Sequence, residues 1–133
     1  MLCPHCDHEQ PDDNYIGLAR CDKCSRAFSV NHSEGRSFLQ EGRLSEAIEK
    51  LELASLFMKN TALVFLDLAR AFALNNQMEE MKKALERAYE IDSEFVIENW
   101  LRDLSLPDID KKNEYERSLD NLISLAEETI KNS

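Results

Sequence analysis

The residues best suited to chemistry are four cysteines near the start of the 133-residue chain. They form two C-x2-C pairs, Cys3 with Cys6 and Cys21 with Cys24, and the segment 7–20 separates the pairs. A C-x2-C pair on a tight turn directs two sulfurs toward one point, and two such turns supply the four thiolates that tetrahedral Zn²⁺ prefers. The spacing therefore predicts one zinc ion bound by all four cysteines.

The same four ligands indicate what the metal does. A catalytic zinc keeps one coordination position open for water or substrate, whereas four thiolates close the shell. We therefore expect a structural ion, whose binding energy folds about 30 residues that have almost no apolar core. The alternatives are a redox C-x2-C site, a pair of disulfides, or replacement of one cysteine ligand by His5 or His8.

The segment that carries the cysteines resembles the short N-terminal zinc ribbons of bacterial proteins. Those ribbons open with Cys-Pro-x-Cys, here residues 3–6, and close with Cys-x-x-Cys-x-x-x-Phe, here residues 21–28. The resemblance implies a zinc ribbon over residues 1–30, with strands at about 15–20 and 27–30. Many knuckles have glycine after the second cysteine, where φ is positive; this chain has Asp7 and Ser25 at those positions.

The remainder of the chain has the pattern of paired helices. Five positions recur with similar residues 34 positions later, which is the period of the tetratricopeptide repeat. The chain thus resembles that family over two repeats, about 28–61 and 62–95. The fold class expected is mainly α, a helical-hairpin solenoid of this kind with a small N-terminal β zinc ribbon. The recurring positions are Gly35, Phe38, Ala47, Leu51 and Ala54, followed by Ala69, Phe72, Met81, Leu85 and Ala88.

Residues 96–133 complete the predicted helical domain of residues 31–133, either as a degenerate third repeat or as a pair of capping helices. Helical spacing of apolar residues continues from Val96 to Leu104, and Pro107 ends that helix. A final helix is expected to carry an apolar stripe that caps the second repeat or forms a homodimer interface. The stripe consists of Tyr115, Leu119, Leu122, Ile123, Ala126 and Ile130.

Charge and motif content narrow the function classes. The formal net charge is −10, and no cluster of Lys and Arg stands out, so we expect neither nucleic acid nor an anionic membrane as a partner. No apolar run is long enough to span a membrane, and no signal pattern precedes the first cysteine, so a cytoplasmic location is expected. No nucleophile or phosphate-loop motif is present, and His32 is expected to serve as a linker or cap. The sequence predicts no enzyme.

The resemblance to tetratricopeptide repeats implies a partner-binding groove lined by the first helix of each repeat. Arg36 and Arg70 occupy equivalent positions and would bind an acidic or C-terminal peptide segment, since arginine suits bidentate carboxylate recognition. The intramolecular alternative is that each pairs with a neighbouring acid, Glu34 or Asp67. The groove positions implied by the resemblance are Arg36, Leu39 and Gln40 in the first repeat, and Leu63, Leu66, Arg70, Ala73 and Leu74 in the second.

Three functions remain open at this point. The first is a non-enzymatic adaptor in which the repeats bind a protein or peptide and the ribbon supplies a second surface. The second is a nucleic-acid or transcription-associated factor that uses Arg20, Lys23 and Arg26 of the ribbon. The third is a zinc-thiolate redox sensor.

Overall fold

The computed structural model describes residues 1–11 and 17–103, the last four of them by backbone alone. The predicted C-terminal stripe and homodimer surface beyond residue 103 lie outside this part of the chain, as do the side chain of Trp100 and residues 12–16. A two-stranded sheet precedes a series of helices. The elements are β1 (Leu18–Arg20), β2 (Ala27–Ser29), α1 (Val30–Gln40), α2 (Leu44–Phe57), α3 (Ala62–Leu74), α4 (Met78–Ile91) and α5 (Ser93–Asp103).

The described structure is mainly helical with a small N-terminal sheet, as the sequence predicts. The strands β1 and β2 pair antiparallel, with Ala19 opposite Phe28. The sequence predicts the first strand at about 15–20. The observed strand begins at Leu18, and residues 15 and 16 lie outside the described part of the chain. None of the described helices combines the length and the apolar character that a membrane crossing requires.

The 34-residue recurrence in the sequence is also present in the backbone. Helices α2 and α4 begin and end one such period apart, and the ends of α1 and α3 are separated by the same period. The short connections that follow α1 and α3 contain a residue with positive φ at the same place, Gly42 at +78° and Asn76 at +59°. Asparagine tolerates this left-handed conformation better than most residues, which explains why the second connection needs no glycine.

A close contact joins the first two helices at Gly35. A Cβ atom placed there would lie 2.7 Å from Leu51 Cγ of α2, so any larger residue would require the Leu51 side chain or the helices to shift. Gly35, one of the recurring positions, thus lies where two helices touch closely. Its equivalent in the second pair, Ala69, is fully buried.

Helix α3 lies at the centre of the helical part. It contacts α1, α2, α4 and α5, so nearly all its faces are covered. Ten of its thirteen residues are buried, as expected of a helix that is apolar on most sides. The helical core and the smaller ribbon core, formed by Cys3, Ala19, Cys21 and Phe28, are two separate apolar clusters.

Candidate metal centre and the adjoining charged cluster

The four cysteines converge as the sequence predicts. Their sulfur atoms all lie within 4.8 Å of one another. The Sγ atoms of Cys3 and Cys24 are 3.7 Å apart, and those of Cys6 and Cys21 are 3.6 Å apart. Four sulfurs at about 2.3 Å from a tetrahedral centre would be separated by about 3.8 Å. The arrangement can therefore coordinate one metal ion.

The two turns that present the cysteines have the same backbone geometry. The amide of Cys3 donates to the carbonyl of His8 at 2.9 Å, and the amide of Cys21 donates to the carbonyl of Arg26 at 3.0 Å. Asp7 and Ser25 take positive φ values of 61° and 65° at matching places. The chain thus uses aspartate and serine where many knuckles use glycine.

The surroundings of Cys21 favour its thiolate, the form that binds a metal, whereas those of Cys3 oppose ionisation. Burial raises the pKa of Cys3 to about 12. At Cys21 burial also opposes ionisation, yet amide hydrogen bonds from Cys24 and Lys23 and the neighbouring thiols lower the pKa to about 6. Those amides lie 3.4 and 3.3 Å from Cys21 Sγ. A metal ion would have to displace the remaining protons, so metal affinity should fall as the pH is lowered.

Both histidines near the cysteines have other partners in the structure. His5 Nε2 lies 3.2 Å from the carbonyl oxygen of Ala27. His8 Nε2 lies 2.9 Å from Asp22 Oδ1. Within the described residues, the group of side chains close enough to hold a metal consists of the four cysteines.

Gln10 links the two turns, a role that the sequence analysis did not assign. Its Nε2 donates to the carbonyl of Arg20 at 3.0 Å, and its Oε1 accepts from the amide of Asp22 at 3.0 Å. Because Gln10 is buried, these bonds satisfy polar atoms that water does not reach. Gln10 thereby fixes the spacing between the first and second turns.

A buried carboxylate lies next to the ribbon, at the centre of α3. Asp67 is 0 % exposed. Its Oδ2 lies 2.8 Å from His32 Nε2, and its Oδ1 accepts from Arg36 Nη1 at 2.8 Å and from Arg70 Nη1 at 2.5 Å. We call these four residues the Asp67 cluster. Burial opposes ionisation of Asp67, but the His32 hydrogen bond and the nearby charges of Arg36 and Arg70 hold its pKa below the usual value.

The Asp67 cluster also contacts the ribbon. Arg36 Nε donates to Asp7 Oδ1 at 2.8 Å, and its Nη2 donates to Asp7 Oδ2 at 3.3 Å. Arg36 thus bridges a carboxylate of the first cysteine turn and a carboxylate of α3. The rings of His5 and His32 meet edge to face, 6.4 Å apart, at the same junction.

The structure brings Arg36 and Arg70 together, but on a carboxylate of the chain itself. The sequence left open an intramolecular pairing with Asp67, and that pairing is present. The expectation that both arginines are free to bind a partner is corrected accordingly. Leu66 also differs from expectation. It is fully buried in the helical core, because α3 is covered by four other helices, and so it cannot form an exposed groove floor.

The other proposed groove residues include several that remain at least partly accessible. Leu74 is 62 % exposed at the end of α3, and Gln40 is exposed at the end of α1. Leu39 is partly buried and packs against the helical core. A partner could therefore reach Gln40 and Leu74, which occupy equivalent positions in the two repeats, without disturbing the core.

Two members of the cluster carry weak signals in the sequence. Asp67 is an acid in the otherwise apolar stretch before Arg70. His32 was expected to act as a linker or cap, but it is fully buried and bonded to Asp67. Buried charged residues are normally paired, so an acid inside an apolar helix predicts a partner but not its position in the sequence.

No family model, curated protein or solved structure matches this chain.

Proposed function

We propose that the protein is a non-enzymatic adaptor with one structural zinc ion. The helices would be tetratricopeptide repeats, and the face formed by α1 and α3 would bind a peptide segment of another protein. The observation that carries the proposal is the 34-residue recurrence of the helix, turn and helix backbone, which matches that family's period. Zinc is the metal proposed, since four thiolates in tetrahedral proximity suit it.

Exposed residues on the α1–α3 face support a peptide as the ligand. Gln40 and Leu74 are accessible at equivalent ends of α1 and α3. Few residues form this face, so the contact area is small and a dissociation constant of roughly micromolar is expected. Arg36 and Arg70 lie on these two helices and outnumber Asp67, the carboxylate that both bind, so we expect a partner segment that is acidic or ends in a free carboxylate near an apolar residue.

A displayed library of random peptides with free C-termini tests this function on the zinc-loaded full chain. Enriched peptides should share a carboxylate and an apolar residue, and their affinity should fall as salt rises because exposed charges are screened. Absence of any enriched motif would contradict the adaptor function. Tight, steeply salt-dependent binding of a mixed-sequence DNA or RNA oligonucleotide would instead support the nucleic-acid function.

A pair of substitutions locates the binding face. Leu74 on α3 and Leu56 on α2 have the same exposed fraction, 62 %, so replacing either with Ala removes a similar apolar contact to solvent. Leu74→Ala should weaken binding of an enriched peptide about fivefold or more, whereas Leu56→Ala should not. Equal effects of the two substitutions would place the ligand elsewhere.

A further inference from the structure

A cavity of about 350 Å³ lies where the ribbon meets the helices. The ribbon contributes Pro4, His5, Asp7 and Arg26, and the helices contribute the other walls. Those walls include Arg36 of α1, Leu63 and Arg70 of α3, and Phe95 of α5. We call this cavity the junction pocket.

The charge of the junction pocket is set by three arginines and two carboxylates. Arg36 binds both Asp7 and Asp67, and Arg70 binds Asp67. Arg26 is exposed, and its guanidinium makes no hydrogen bond or ion pair with any residue that the structure describes. Three positive charges against two negative ones leave an excess of one positive charge, in a chain whose net charge is −10.

A partly apolar surface adjoins this charge. A second cavity of about 370 Å³ shares His5, Leu63 and Phe95 with the junction pocket and continues to Ile91 and Asp92. Because Asp92 adds a negative charge there, the anionic group of a ligand belongs in the junction pocket, and its apolar group lies next to it against Leu63 and Phe95. A monoanionic carboxylate matches the single excess charge, and arginine forks suit its planar geometry.

We infer that the junction pocket binds the carboxylate of a peptide residue, with a neighbouring apolar side chain against Leu63 and Phe95. The inference rests on the proposed adaptor function and specifies where the acidic end of the peptide lies. Within the described residues, Arg26 is the arginine of this pocket whose guanidinium binds no carboxylate of the chain, so the ribbon forms part of the binding site.

The length of α3 fits a bound peptide in an extended conformation. Leu63 and Leu74 lie at opposite ends of α3, and at the rise of an α-helix their separation along the axis is about 16 Å. An extended peptide of about five residues covers that length. Its carboxylate would lie at the ribbon end and its other end near Leu74.

The test uses the zinc-loaded full chain and two small probes, N-acetyl-leucine and its uncharged amide. Probes of this size should bind with a dissociation constant of about millimolar. In heteronuclear NMR titration, the free acid should shift the signals of the side chains that line the junction pocket, and the amide should not. Equal shifts with both probes, or no shift with the acid at about tens of millimolar, would overturn the inference.

Arg26→Gln should weaken binding of the acid about tenfold, since a hydrogen bond to a charged group is lost. Lys23→Gln is the matched control, because Lys23 is an exposed cation of the same turn that does not line the pocket. Neither substitution removes a described contact of the folded chain. Equal weakening of binding by the two substitutions would show that only the net charge of the turn matters, and it would overturn the inference.

Two further probes separate the sources of the carboxylate. The α-amide of N-acetyl-glutamate carries its carboxylate on the side chain; tighter binding than N-acetyl-leucine supports an internal acidic residue, and weaker binding supports a chain end. Inorganic phosphate that binds more tightly than either would overturn the carboxylate assignment. If library-selected peptides bind the Arg26→Gln variant as tightly as wild type, the junction pocket is not the carboxylate site, while the adaptor function stands.

Discussion

At the scale of single residues, the buried carboxylate of Asp67 holds two helices together. One fully buried oxygen pair accepts from His32, Arg36 and Arg70 and so joins α1 to α3. A buried charge of this kind is stable only when each partner is in place, since the interior does not solvate ions. The cluster therefore specifies which faces of α1 and α3 meet.

The first prediction is that Asp67→Asn lowers the free energy of unfolding by about 3 kcal/mol. The amide keeps the shape but leaves two arginines without their carboxylate, and removing one partner of a buried pair is strongly destabilising. Urea denaturation followed by circular dichroism measures the change. Glu86→Gln, an exposed acid on α4, is the control and should change stability by less than about 0.5 kcal/mol.

The second prediction concerns the pH dependence of that difference. The pKa of Asp67 is lowered in the folded state, whereas an unfolded aspartate titrates near about 3.9. Its contribution to stability is then fully present above the unfolded pKa and is lost as pH falls through the folded value. The stability gap between wild type and Asp67→Asn should be constant from about pH 7 to 5 and should narrow below about pH 4. A gap that widens on acidification would contradict this account of the cluster.

At the scale of elements, helix contacts are set by small residues and by the left-handed turn positions. Gly35 lets α1 approach α2, and Gly42 and Asn76 end the first helix of each pair in the same conformation. The repeated turn places α2 and α4 in the same relation to the helices before them. Packing of the two pairs thus follows from residues at equivalent positions of the two repeats.

The third prediction is that Gly35→Ala destabilises the protein by about 1–3 kcal/mol. Alanine normally stabilises a helix relative to glycine by about 1 kcal/mol, but here its Cβ would lie 2.7 Å from Leu51 Cγ, and overpacking of a core costs more. Thermal unfolding measures the effect. Ser37→Ala in the same helix is the control, and an equal or higher melting temperature for Gly35→Ala would refute the close contact.

The elements were predictable from the sequence to the extent that local patterns determine them. The cysteine spacing predicts the convergence of the thiols, and the 34-residue period and the small residue at Gly35 predict the helix pairs, because short-range geometry determines these features. The pairing of Asp67 with Arg36 and His32 did not follow, because the packing of α3 against α1 decides it. Leu66 was misplaced for a related reason, since its burial depends on how many helices cover α3.

At the scale of the whole molecule, the ribbon and the helices have separate apolar cores joined by a few polar contacts. The bond from Arg36 to Asp7 and the contact of His5 with His32 connect them. Asp7 is 52 % exposed, so this ion pair is screened by solvent and contributes little to stability. The two parts should therefore respond differently to loss of the metal.

The fourth prediction is that a chelator, or Cys21→Ser, unfolds residues 1–30 but leaves most of the helical circular dichroism. The ribbon core has few apolar residues, so we expect it to depend on the metal, whereas the helical core lies elsewhere. The midpoint of helical unfolding should fall only slightly. Readdition of zinc should restore the ribbon in the chelated wild type and not in the variant. Collapse of the helical signal together with the ribbon would show that the two cores depend on each other.

Native mass spectrometry of the purified full chain is the sharpest test of whether four thiolates hold one zinc ion in a closed shell. We expect one zinc per chain under native conditions. On acid denaturation the zinc should be lost, leaving a chain with four free thiols, because protons compete for the sulfurs. A metal-free chain lighter by four hydrogens, which indicates two disulfides, would contradict the claim, as would zinc retained in full by Cys21→Ser.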